Sequence, residues 1–125
     1  MRPVQSLLLL GTLPLFGGDP PRLPRDTEAL RTFYAENCVR CHAPDGSAAG
    51  PDGKRLKGAN FTDAKAMERE KDASLAKVIL KGKLFGMEMP SFKDKLTEDE
   101  ALRMVKDILR KAERGKAIAP GSAAK

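Results

Sequence analysis

Apolar positions along this chain recur at helical spacing. Ala101, Leu102, Val105, Ile108, Leu109 and Ala112 fall at i, i+3, i+4, i+7 and i+8 intervals, with Arg103, Lys106, Lys111 and Arg114 filling the rest, which predicts an amphipathic helix with one apolar stripe. Thr97 and Glu100 open it as a capping box, in which each side chain satisfies the other's free backbone N–H. Near the start, Leu30, Phe33 or Tyr34, and Cys41 share a face, and Asp26 or Thr27 is placed to cap a helix running through Asn37 into Cys38. That face is the expected partner of the C-terminal stripe. Two shorter helices are predicted between them: one capped by Thr62 and carrying Ala64, Met67 and Glu70, the other starting at Asp72 or Ser74 and stopping at Gly82. No stretch alternates as a half-buried strand would.

The rest of the chain reads as boundaries and loop. Residues 1–18 hold one charge, Arg2, and the apolar run 7–10, the shape of a signal peptide and too short for a span of about 20 residues. The cleavage signal is weak, so an uncleaved tether is the alternative. Residues 19–26 carry three prolines in eight positions and read as a linker; the folded domain is expected over 27–113, with a mobile Pro/Gly-bearing tail over 114–125. Residues 43–60 bear Pro44-Asp45-Gly46, Gly50-Pro51-Asp52-Gly53 and Gly58, successive turn signals in a long loop.

Composition sharpens this picture. With 125 residues, no Trp, one Tyr and five Phe, the chain has room for one domain and little aromatic mass for its core, so a cofactor would supply what is missing. The formal charge of +6 points to acidic partners. Nucleic acid is not favoured, because no basic strip is interleaved with aromatics.

The chemistry concentrates in Cys38-Val39-Arg40-Cys41-His42, which contains both cysteines and the single histidine. Residues three and four apart share a helical face, so two thiols can form thioethers with the vinyl groups of one haem while the imidazole meets its iron. A zinc site would need a second pair of ligands, and a thioredoxin-like pair would need a strand-to-helix junction; neither is present. A plain disulfide or two free thiols is the remaining alternative. For the opposite face of the iron, Met89 in Gly86-Met87-Glu88-Met89-Pro90-Ser91-Phe92 is the candidate, with Met87 as competitor. Met67 and Met104 sit in helical patterns and read as core. Pro51 is a candidate for the proximal side, its carbonyl accepting from the ring N–H of His42, against the alternative of an ordinary turn proline.

With both ligand segments in place, residues 27–112 resemble the class I c-type cytochromes. The resemblance rests on Tyr34 four residues before Cys38, the CVRCH motif, Gly50-Pro51, Asn60-Phe61-Thr62-Asp63, Met89-Pro90-Ser91-Phe92, and the final LTEDEALRMVKDILR. One departure is Asp107, where that family often carries an aromatic; Phe33 or Tyr34 is expected to compensate. The resemblance implies an all-α fold of about four to five short helices around one covalently bound haem c. It also implies reversible one-electron transfer without bond making in a substrate, by a monomer in the periplasm or another exported compartment. Phe61, Leu84 and Phe85 are candidates for the apolar shell and Arg55 and Lys57 for the propionates. Lys54, Arg55, Lys57, Lys81, Lys83, Lys93 and Lys95 are candidates for a basic collar that steers acidic redox partners, against the alternative of a solvated charged surface. Two other readings stay open: a tethered haem subunit of a larger oxidase or dehydrogenase, and a haem enzyme or gas sensor with a displaceable Met89.

Overall fold

The computed structural model describes residues 23–120. It is helical: α1 (Thr27–Asn37), α2 (Val39–His42), α3 (Ala64–Glu68), α4 (Asp72–Lys81) and α5 (Glu98–Arg103). The described residues form no strand, only isolated bridges that pair Ala49 with Arg55 and Lys83 with Met89. None of the helices is long and apolar enough to cross a membrane. The expected signal segment and residues 121–125 of the expected tail lie outside the described residues.

Asp26 caps α1 by accepting from the Ala29 N–H at 2.8 Å, and Leu30, Phe33 and Tyr34 form its buried face. At α5 the capping box closes both ways, Glu100 N–H to Thr97 Oγ1 and Thr97 N–H to Glu100 Oε1, each 3.0 Å. The continuation departs from a regular helix. A wide π turn spans Met104–Ile108 and a tight 3-10 turn Leu109–Lys111 before the backbone becomes extended at Ala112. Across these turns Met104, Val105, Ile108 and Leu109 are buried in the core. Leu102 and Ala112, expected on the stripe, are only half-buried.

The core lies where α1 meets this C-terminal segment and α4 closes from the side with Ala76 and Ile79. Asp107 is half-buried, and aromatic mass reaches this core from Phe33, whose ring meets Phe92 edge-on at 5.6 Å. Arg110 ties the C-terminal segment to the α3–α4 corner, donating to the Asp72 carboxylate and to the carbonyls of Met67 (2.9 Å) and Glu70 (2.6 Å). Asp63, not Thr62, caps α3. The Thr62 hydroxyl is engaged instead by Asn60 Oδ1 at 2.6 Å.

Both ends of the expected domain are more ordered than their composition suggests. Arg25, inside the proline-rich stretch, donates its N–H to Glu100 Oε2 at 2.9 Å, its guanidinium to the Lys95 carbonyl at 2.8 Å, and lies over the Phe33 ring at 5.0 Å. It is held because the fully buried Glu100 carboxylate needs a cationic partner. Residues 115–119 likewise fold back. The Gly115 N–H donates to Asp45 Oδ2 and the Ile118 N–H to the Pro44 carbonyl, both at 2.9 Å, and Ala119 is buried.

Candidate haem site

The turn that holds the cysteines is built by breaking a helix. α1 ends where the Cys38 N–H reaches the Tyr34 carbonyl, and Cys38 bends the chain so that α2 starts as one separate turn presenting Cys41 and His42. Ala43, at φ 68°, stops it. Tyr34 braces the far end: its buried hydroxyl donates to the Ala43 carbonyl at 2.7 Å. Burial, reinforced by the nearby Cys38 and Asp45, pushes its pKa well up, so the hydroxyl stays a donor.

Both cysteines are free and half-buried. Burial, followed by the neighbouring Cys41, pushes the Cys38 thiol up to about 12. A thiol kept protonated is a weak nucleophile for disulfide exchange. His42 is buried to 9 % exposure. Burial lowers its pKa against the opposing pull of its bond to Ala59, so the ring is neutral at pH 7. Nδ1 lies 3.0 Å from the Ala59 carbonyl and acts there as donor, because a carbonyl only accepts. Nε2 then carries the lone pair, as a metal ligand must.

The backbone around the ring is fitted to it. The Gly58 N–H donates to the Cys41 carbonyl at 2.7 Å. A Cβ at Gly58 would sit 2.5 Å from His42 Nδ1 and closer still to the Cys41 carbonyl, so no other residue lets residues 58–59 approach this closely. Phe61 lies face to face with the imidazole, centroids 4.5 Å apart and planes inclined by 22°.

Pro51, expected to supply the carbonyl on His42, does not. It is exposed in the turn at 50–53, and Ala59 holds Nδ1 instead. The antiparallel pairing of Ala49 with Arg55 folds Pro51 into the outer end of a small hairpin and carries the returning strand of chain back to the ring at Gly58. No local pattern marks Ala59; only the glycine before it hints at a close backbone approach.

Met89 sits on the second segment. It is half-buried and packs against the core that Cys38 also touches, whereas Met87 is 89 % exposed. Gly82, at φ 73°, makes this possible, since a Cβ there would collide with the Met89 carbonyl. Met67 and Met104 are buried core residues, as expected. Of the expected shell, Phe61 meets His42, while Leu84 and Phe85 adopt positive φ values of 49° and 55° and project outward. The seven collar residues are all exposed.

These donors fit a covalently held haem. Two free thiols lie three residues apart on one bend, a neutral imidazole is fixed through Nδ1 with Nε2 left for iron, and a thioether lies on the same core. Among the described residues no cluster of three or more His, Cys, Asp or Glu side chains could hold a bare metal ion instead.

Comparison with known proteins agrees. A family described as "Cytochrome C oxidase, cbb3-type, subunit III" matches residues 25–106. The solved structure of the KustC0563 c-type cytochrome is similar at 27 % identity and a TM-score of 0.50, covering 64 % of this chain and 92 % of that one. A tyrosine-to-phenylalanine mutant of that protein is similar at 26 % identity and a TM-score of 0.51, covering 67 % and 98 %. No curated protein matches. The five-helix fold, the CxxCH turn and the family match together make this chain a class I c-type cytochrome, belonging to the family of cbb3-type cytochrome c oxidase subunit III.

Proposed function

We propose that this protein is a one-electron carrier of an exported, periplasm-like compartment, holding one haem c through thioethers to Cys38 and Cys41 with His42 and Met89 as axial ligands. The observation that carries the reading is the state of His42: neutral, buried, and held at Nδ1 by Ala59 so that Nε2 is the lone-pair nitrogen. A haem held by these residues would supply reversible one-electron ferric–ferrous chemistry.

The chain's own contribution is rigidity and exclusion. The Ala59 carbonyl and the Phe61 face hold the imidazole between two fixed groups, so little rearrangement accompanies a change of charge. The Tyr34 hydroxyl holds the Ala43 carbonyl and with it the end of α2. Saturation of the iron by His42 and Met89 would leave no position for oxygen or peroxide, which is why we assign no substrate chemistry. Lys54, Arg55, Lys57, Lys81, Lys83, Lys93 and Lys95 would steer an acidic redox partner into transient, salt-sensitive contact.

The family description favours one second reading, a haem-bearing subunit working within an oxidase. In that case residues 1–18 are retained as a tether, and the purified chain keeps its full mass and co-elutes with larger subunits.

Ligation is tested by visible spectra of the protein produced with haem-maturation machinery, comparing wild type with Met89→Ala and Met87→Ala. The far-red sulfur-to-iron band of the ferric form is expected in wild type and Met87→Ala and lost in Met89→Ala. A wild type without that band whose ferrous form binds carbon monoxide readily contradicts electron carriage and favours a sensor or enzyme.

A further inference from the structure

We infer that Phe61 is the positioning residue that sets the plane of the His42 imidazole. The inference rests on His42 being the axial ligand, as proposed above, and adds a role for an aromatic side chain on the proximal side.

The bond from Nδ1 to the Ala59 carbonyl fixes which nitrogen is protonated, but a hydrogen bond tolerates a wide range of donor angles. Alone it leaves the ring room to tilt about its Cβ–Cγ bond. A flat partner 4.5 Å away and inclined by 22° removes that freedom, because turning the ring toward it brings atoms into overlap.

Phe61 can serve as a reference plane because it is itself fixed. Its N–H donates to the Gly46 carbonyl at 2.7 Å. Its ring lies against the bare Cα of Gly46, where a Cβ would come within 3.4 Å of Cδ2 and 3.3 Å of Ile118 Cδ1. The adjoining residues are locked to each other, Asn60 Oδ1 accepting from the Thr62 N–H at 2.9 Å and from its hydroxyl at 2.6 Å. Residues 58–62 thus grip the imidazole at its edge through Ala59 and on its face through Phe61. The segment between them is too short to shift one contact without the other.

The plane of an axial imidazole determines how ferric spin density spreads over the macrocycle, so it is read directly from the order and spread of the haem methyl resonances in the ferric protein. Phe61→Leu removes the flat face but keeps apolar bulk. Phe61→Tyr keeps the flat face at a half-buried position. The expected result is a reordered or compressed methyl pattern in Phe61→Leu and the wild-type pattern in Phe61→Tyr, with the sulfur-to-iron band retained in both. If Phe61→Leu does not retain haem, Phe61→Met, unbranched and without a flat face, is read the same way. A wild-type pattern in the leucine or methionine variant overturns the inference, as does a tyrosine variant as altered as the leucine one. Failure of the underlying reading is distinguishable: a wild-type ferric spectrum without low-spin His ligation removes His42 as ligand before any Phe61 variant is compared.

Discussion

At the scale of single residues, the site depends on what is absent at position 58 as much as on what is present at 42. Gly58 lets a carbonyl come within 3.0 Å of His42 Nδ1, and any side chain there would occupy the space of the imidazole. Gly58→Ala is therefore expected to cost about 1–3 kcal/mol, the usual penalty of overpacking. It should also shift the reduction potential, because the Nδ1 bond is lengthened or lost. Thermal melting and a redox titration of the same sample check both, and a variant unchanged in each would refute the fit described. The CVRCH spacing together with its surroundings points to Cys38, Cys41 and His42, and the methionine–proline pair to Met89, as the proposed haem-holding residues. Ala59 was not legible, because any residue offers a carbonyl and only the folded hairpin decides which one arrives. Pro51 was the natural guess from its position in the loop, and the pairing of Ala49 with Arg55 moved it outward.

At the scale of elements, helix ends were the most readable features, since capping is written in adjacent residues. The Thr97–Glu100 box and the Asp26 cap form as the sequence implies. Thr97→Ala is expected to destabilise the fold by about 1 kcal/mol, a fall in melting temperature of roughly 4–8 °C for a domain of this size, with an unchanged visible spectrum. A spectral change in that variant would mean that α5 reaches the haem and that the separation of scaffold from site is wrong. The interior of the last helix was harder to read. Its regular stripe implies an unbroken α-helix, yet the backbone widens into a π turn over Met104–Ile108 while Met104, Val105, Ile108 and Leu109 are buried. No local pattern in the sequence marks that widening. Asp63 displaced Thr62 as the α3 cap because Thr62 is committed to Asn60.

At the scale of the whole molecule, the two ends of the domain close over segments distant in sequence. Arg25 completes the charge of Glu100, and residues 115–119 pin the loop that follows His42. Both were invisible in composition, because proline and glycine density reports local freedom and not what the chain later lies against. The Asp45–Gly115 contact makes the second closure sensitive to acid. Burial would raise the Asp45 pKa, but donors from the Gly115 N–H and from the Ser47 hydroxyl and N–H hold it below the usual carboxylate value. A depressed folded-state pKa contributes stability that is complete above the unfolded value and is lost as pH falls through the folded one. Asp45→Asn should therefore lower the melting temperature at pH 7 and flatten its decline toward acid pH. Parallel pH–melting curves for wild type and variant would contradict the closure.

The central claim is that Cys38 and Cys41 hold one haem by covalent bonds, and the intact mass of the protein after unfolding tests it most directly. Produced with haem-maturation machinery, the denatured chain should carry the mass of one haem, and Cys38→Ser with Cys41→Ser should carry none. A wild-type chain at its unmodified mass, or two hydrogens lighter through a disulfide between the cysteines, would contradict the account.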